Sequence, residues 1–206
     1  ETVRTLAGRI VKAGTVCIDT ETTSTEPREA QLVGLSLALD TREAFYVPVA
    51  HTAEPQRNLD CGKVLDVLRE AVESDTVRKV GHNLKYDYQV LKNYGLIMRG
   101  PFYDTMVAAY LIEPGKRQYG LDAMASQWLR MNVTPIEELI GKKKSEPRSF
   151  ADVPIDEAAS YSGEDVVVPL RLKEVFDPVL EERRLTKLSA EMEMPLVPVL
   201  AEMEWT

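Results

Sequence analysis

Three segments rich in β-branched, aliphatic and aromatic residues crowd into the start of the chain, and they restrict it to folds built around a sheet. Thr15–Thr20, Gln31–Leu39 and Glu43–Val49 are split by polar, turn-prone stretches. The link Asp40-Thr41-Arg42 is short enough for a hairpin, so the spacing predicts an antiparallel meander of three sequential strands. Helical periodicity then takes over, with Val64, Leu65, Leu68, Ala71 and Val72 on one helix face. A short strand near Val77–Val80 leads into a helix from about Leu84 to Tyr94, closed by Gly95. Phe102-Tyr103 reads as a last short strand, and Asp104 as the cap of a helix that stops before Pro114. Leu121, Met124, Ala125, Trp128 and Leu129 mark another helix, and a long one runs from about Asp156 to Arg184. Within it, Pro169 has no N–H to offer the carbonyl of Asp165, so a kink or break is expected there. Strands first, then strands alternating with helices, define an α/β or α+β domain around a mixed sheet.

Composition narrows the function. A chain of 206 residues with 44% apolar content suits one globular domain with a full core. No apolar run approaches the roughly 18 residues that span a bilayer, and no signal-peptide pattern opens the chain. Cys17 and Cys61 make no disulfide framework, so a soluble protein of a reducing cytosol is the expectation. Twenty-five basic against 33 acidic residues give a net charge of −8, which argues against a general polyanion binder. A metal-dependent nuclease escapes that objection if part of the acidic excess is a carboxylate cluster that binds cations. The start at Glu1 and the apolar end from Pro195 to Trp205 read as those of a module taken from a longer protein.

Three pairs carry candidate chemistry. Asp19 and Glu21, two apart at the end of the first strand, project on one face. Asn83 and Asp87 are four apart on one helix face, with Asn83 at or near the N-cap. Tyr161 and Asp165 are again four apart. Taken singly, each pair has a plain alternative: a solvated strand end, a capped helix, a core tyrosine beside a surface acid. Taken together, four acids displayed by different elements, with a tyrosine one turn from the last, offer hard oxygen ligands of the kind that hold Mg²⁺ or Mn²⁺. Two such ions can bracket an in-line phosphoryl displacement.

The sequence resembles the DEDD exonucleases of the subgroup with tyrosine in the third motif, and most closely the 3′→5′ proofreading domains of bacterial family A polymerases. The likeness runs through Asp19-Thr20-Glu21-Thr22, Leu32–Ser36, Val47–His51, Val80–Asp87, Asp104-Thr105-Met106 and Tyr161 to Asp165. It implies an α/β, ribonuclease-H-like fold, a five-stranded mixed sheet flanked by helices. It implies an exonuclease domain over 1–190, with 191–206 starting a polymerase domain of the same polypeptide. It also implies two divalent cations, Mg²⁺ or Mn²⁺, and a single-stranded or frayed 3′ end of DNA as substrate, in the nucleoid-associated cytosol with no membrane partner. Asp19 is then expected to bridge both ions, Glu21 and Asp165 to complete the tighter one, and Asp87 to hold the second. Tyr161 would position the attacking water. Thr22 and Asn83 would contact the terminal nucleotide and Phe150 would stack near it, with Thr25, His82 and Met106 around it.

The chain departs from the family pattern at Thr25, where a wedging leucine is common, and at His82, where glutamine is common. The densest basic cluster, Lys142, Lys143, Lys144 and Arg148, leads into Phe150 and is the expected track for the DNA backbone. An RNA 3′ exonuclease of the ribonuclease D kind uses the same motifs, and an inactive exonuclease-like scaffold is the further alternative.

Overall fold

The computed structural model describes residues 2–141 and 148–205. The meander forms as expected, with β1 at Thr15–Thr22, β2 at Leu32–Asp40 and β3 at Glu43–Pro48. Two short strands complete the sheet, β4 at Arg78–Gly81 and β5 at Phe102–Asp104. The order is β3-β2-β1-β4-β5. β1 runs antiparallel to β2 and parallel to β4, which itself runs parallel to β5, so the mixed sheet is real and β1 is its centre. β2 is buried along almost its whole length, the pattern of a strand covered on both faces.

Nine α-helices surround the sheet among the described residues. The first, α1 (Val3–Ala13), has no counterpart in the sequence reading, although its signals are local. Thr2 caps it by accepting the Thr5 N–H, Leu6, Ala7 and Ile10 are buried, and Gly14 ends it in the left-handed region at φ 66. α2 (Cys61–Val72) buries the five apolar residues expected of it and packs on α1. α3 (Leu84–Asn93) and α4 (Thr105–Ile112) follow β4 and β5 directly. The helix expected near Leu121 is α5 (Leu121–Met124) continued by a π-helical turn, Ala125–Leu129. α6 (Ile136–Ile140) precedes the stretch holding Lys142, Lys143 and Lys144, which lie outside the described residues.

The expected break at Pro169 does not form. α7 runs from Ile155 to Glu182 through both Pro169 and Pro178. In an unsupported helix interior each proline would cost about 3 kcal/mol. Here Val166, Val168, Pro169, Leu170, Leu172 and Phe176 are buried, and the helix lies across β1, β2 and β3 and against α4. That burial holds the helix together across the missing hydrogen bond. After α8 (Thr186–Leu188) and a second π-helical turn at Ser189–Glu193, the chain ends in α9 (Met194–Trp205). α9 sets Met194, Val197 and Ala201 inward and packs on α3 and β5.

Candidate active site

The floor of the site is the exit of β1. Side chains alternate along a strand, so Asp19 and Glu21 share one face while Thr20 takes the other. α7 crosses above that face and brings Asp165 over it. One carboxylate oxygen each from Asp19, Glu21 and Asp165 lies within 4.8 Å of the other two. The Ser162 hydroxyl, buried on α7, donates to Glu21 Oε1 at 2.6 Å and fixes the direction of that carboxylate. Tyr161 is hydrogen-bonded to Asp165, one helical turn away.

Asp87 approaches from the other side, in the first turn of α3. Its Oδ1 accepts both the Thr20 backbone N–H at 2.9 Å and the Thr20 hydroxyl at 2.7 Å. Asn83 sits at the N-cap position with φ 65, a left-handed conformation that asparagine tolerates, but its side chain makes no capping bond. Asp104 does that work instead. Its carboxylate accepts the N–H of Asn83 at 3.1 Å and of Leu84 at 2.8 Å, and it also caps α4 through the Met106 N–H at 2.8 Å. The expected cap of one helix thus caps two, and the Asn83 side chain is left to face the cleft.

Burial, with no cationic partner among the described residues, sets the electrostatics. Burial first, then the Asp165 charge, pushes Glu21 up to about 8. Burial pushes Asp87 and Asp165 up to about 7 each. Asp19 is raised well above the usual carboxylate range by burial, then by Asp87, Glu21 and Asp165. The Tyr161 phenol is raised by burial and then by Asp165, Glu21 and Asp19, which makes it a hydrogen-bond donor at neutral pH and not a base.

These groups line a cleft of about 650 Å³. Thr22, Thr25, His82, Asn83, Arg148 and Phe150 are in its wall, as the sequence reading expects; Met106, partly buried in the first turn of α4, is not. Thr25 is exposed, whereas the Thr22 hydroxyl is tied to the Ser24 carbonyl at 3.0 Å and to the Tyr86 hydroxyl. His82 is bonded to the Thr105 hydroxyl at 2.8 Å, and burial lowers its pKa. Phe150 is only 4% exposed. Its ring lies between His51 and Tyr161, with centroids 6.2 and 6.0 Å away. His51 in turn accepts from the Tyr46 hydroxyl at 2.6 Å and donates Nδ1–H to the Val153 carbonyl at 2.8 Å. Gly34 makes room for this arrangement, since a Cβ there would stand 2.1 Å from the Tyr46 hydroxyl oxygen. A larger groove of about 960 Å³ lies between β5, the second half of α7 and the 186–198 segment, and none of the expected site residues among those described lines it.

Sequence reasoning missed Thr20, Ser162, Tyr86, Tyr46 and His51. Ser162 had a signal, because three residues before Asp165 is the same helix face. Thr20, Tyr86 and His51 touch partners 62 or more residues away, and Tyr46 joins the site through His51, so none of these had one.

Fold and site thus combine a five-stranded mixed sheet with a central strand whose terminal acids meet a carboxylate and a tyrosine from a crossing helix. The sequence pattern of the 3′-5′ exonuclease domain found in family A DNA polymerases matches residues 1–181, and the chain belongs to that family. It is 38% identical over 204 residues to the DNA polymerase I of Chloroflexus aurantiacus, covering 98% of this chain and 21% of that protein. It is 36% identical over 201 residues to the DNA polymerase I of Pseudomonas aeruginosa, covering 95% and 22%. The chain thus spans about a fifth of the length of these curated relatives. Among solved structures, Brucella melitensis NrnC with bound Mg²⁺ superposes with a TM-score of 0.71 at 21% identity, over 93% of this chain and 85% of that one. Escherichia coli RNase D does so with a TM-score of 0.73 at 16% identity, over 97% and 48%. These two likenesses are of fold, and with them the ribonuclease-H-like expectation holds. No helix among the described residues is long and apolar enough to cross a membrane.

Proposed function

We propose that the chain is a 3′→5′ exodeoxyribonuclease that hydrolyses the terminal phosphodiester of DNA with two divalent cations, releases mononucleotides, and so proofreads for a polymerase domain on the same polypeptide. The observation that carries this reading is the meeting of Asp19, Glu21 and Asp165 within 4.8 Å in a cleft that Asp87 and Tyr161 also line.

The residues fit the ions. The donors are hard carboxylate oxygens, as Mg²⁺ and Mn²⁺ require. Among the described residues lining the cleft, the basic side chains are His82, held toward neutrality by burial, and Arg148, which donates to the Asp152 carbonyl at 2.8 Å. Among the described residues none of these acids has an ion-pair partner, and divalent cations would supply the counter-charge. When bound, such ions lower the pKa of the attacking water and stabilise the leaving oxygen.

The protein's own groups then have separable tasks. Asp19, central among the acids, would contact both ions, with Glu21 and Asp165 completing one set and Asp87 the other. Ser162 holds Glu21 still. The Tyr161 hydroxyl would orient the water by hydrogen bonding, together with Glu21. Thr22 and Asn83 would meet the terminal nucleotide, Phe150 would offer an edge to it, and the basic residues from Lys142 to Arg148 would track the upstream phosphates. Exposed Thr25 would grip a frayed base with less apolar area than a leucine.

DNA is favoured over RNA as substrate because the relatives at 36–38% identity are named DNA polymerases, whereas the likeness to RNase D is one of fold at 16% identity. The bacterial origin of these relatives supports a bacterial cytosolic setting. The test is incubation of 3′-labelled single strands of DNA and of RNA with Mg²⁺, Mn²⁺ or EDTA. Release of mononucleotides from DNA that EDTA abolishes is the expected result. Preference for ends bearing a 2′-hydroxyl would transfer the chain to the RNA-trimming reading, and no release with either ion would leave a scaffold.

A further inference from the structure

We propose that Thr20 is a positioning residue for metal binding, aiming Asp87 so that one of its carboxylate oxygens is left for a divalent cation; this rests on the reading of the acids as cation ligands. Thr20 stands between two of the site's acids, yet alternation along β1 turns its side chain away from theirs. It is buried, at 6% exposure, and Asp87 is more so, at 2%. Both Thr20 bonds fall on Asp87 Oδ1 and neither on Oδ2. The carboxylate is thereby held from one end.

The sheet explains why the N–H is free to do this. β4 pairs with β1 through Thr15, Val16 and Cys17 only, and ends at Gly81. Beyond Cys17 the β4 side of β1 has no strand beside it, and the Thr20 N–H takes the Asp87 carboxylate in place of a ladder partner. The hydroxyl adds a second donor to the same oxygen. An aspartate side chain has two rotatable torsions with several staggered or broad minima, and two bonds to one oxygen restrict which way the other can point. Partners that orient a metal ligand in this way are typically worth about 10- to 100-fold in metal affinity.

Ser162 differs instructively. It makes one hydroxyl bond to Glu21, whereas Thr20 spends backbone and side chain on a single oxygen. Removing the Thr20 hydroxyl leaves the backbone bond and the strand intact, which makes the substitution a clean probe of orientation.

The experiment is a calorimetric titration of the full chain with Mn²⁺ alone, comparing wild type with Thr20→Val, Thr20→Ser and Asp87→Ala, alongside melting in EDTA. Valine matches threonine in shape and lacks the hydroxyl. The expected result is two binding events in wild type, the weaker of them reduced by about tenfold or more in Thr20→Val and lost in Asp87→Ala. Thr20→Ser should bind as wild type does. In the cleavage assay, extra Mn²⁺ should restore the turnover of Thr20→Val without a change in KM for DNA. Unaltered Mn²⁺ binding in folded Thr20→Val would overturn the proposal, leaving Thr20 as a contact between β1 and α3. If Thr20→Val does not fold, Thr20→Ala removes the same hydroxyl without adding a methyl, and the same two outcomes decide. Wild-type protein that shows no Mn²⁺ binding sensitive to Asp19→Ala would instead refute the metal-site reading and this inference with it.

Discussion

The cleft floor and the seam between α3 and α9 use the same residue types to opposite ends. In the cleft, Asp19, Glu21, Asp87 and Asp165 are gathered without ammonium or guanidinium partners among the described residues, and their pKa values rise. At the seam each acid has a base. Lys85 meets Glu204 at 2.8 Å and Lys92 meets Glu202 at 2.5 Å, with the Tyr88 hydroxyl donating to Glu202 at 2.7 Å. Glu202 is accordingly held below its usual range, by Lys92 first and Tyr88 second. Trp205 closes the seam, flanked by the Arg28 guanidinium at 5.7 Å and the Lys92 ammonium at 5.0 Å from its ring. The seam is electrostatically complete within the chain. On the proposed function, cations from outside complete the cleft.

The largest expected effect breaks the cleft side of this comparison. Asp19→Ala or Asp165→Ala should lower release of 3′-terminal nucleotides by about 10²–10³-fold or more, the scale on which lost charge stabilisation acts in other sites. Asp19→Asn, matched in volume, should do the same and also raise the melting temperature of the metal-free chain at pH 8, because one of the clustered charges is gone. Wild-type cleavage by any of these variants, with the fold intact, would defeat the mechanism.

Next in size is the pH dependence without metal. Glu21 titrates at about 8, and Asp87 and Asp165 at about 7, against values near 4 in an unfolded chain. The folded state therefore holds protons that the unfolded state has released. This contribution is fully present below about pH 4 and is lost as pH rises through 7 and 8. In EDTA the chain should lose a few kcal/mol of stability across that window. Addition of Mg²⁺ should flatten the profile and raise the melting temperature more at pH 8 than at pH 5. Melts at both pH values, with and without Mg²⁺, check the sign, and equal shifts at the two would contradict it.

Tyr161→Phe should cost less than either aspartate change. Its hydroxyl is worth one hydrogen bond to a charged group, about 1.5–3 kcal/mol, or roughly 10- to 100-fold in turnover. Single-turnover rates at saturating DNA measure it, and a loss equal to that of Asp165→Ala would give the phenol a larger part than orientation.

The smallest effect belongs to the seam. Glu202→Gln or Lys92→Met removes an exposed or half-exposed pair, worth about 0.2–1 kcal/mol. Melting should shift slightly, more so at low salt, and cleavage of single strands should be unaltered. Since the Glu202 pKa is lowered, its contribution is present above the ordinary carboxylate range and fades as pH falls below it, the reverse of the cleft. A large loss of activity from either change would show that the seam and the cleft are coupled.

Much of this was legible in the residues because it is local. The alternation that puts Asp19 and Glu21 on one face is a property of any strand, and the four-residue step from Tyr161 to Asp165 is a property of any helix. The meander, the Asp104 cap and the amphipathic α2 were readable for the same reason. α1 was readable too and went unread, although Thr2, Leu6, Ala7, Ile10 and Gly14 spell it out. Pro169 did not end the helix, because a proline's penalty is local while the burial that offsets it is not.

By itself, then, the sequence determined which element carries each acid and which way that acid points along it, since backbone geometry repeats every two or 3.6 residues regardless of surroundings. Only the tertiary structure decided what each acid meets. Thr20 and Asp87 are 67 residues apart, Glu21 and Ser162 are 141 apart, and His51 and Val153 are 102 apart. No period in the chain links such pairs. They meet because β4 stops short beside β1 and because α7, kept whole by its buried face, crosses the sheet where β1 ends.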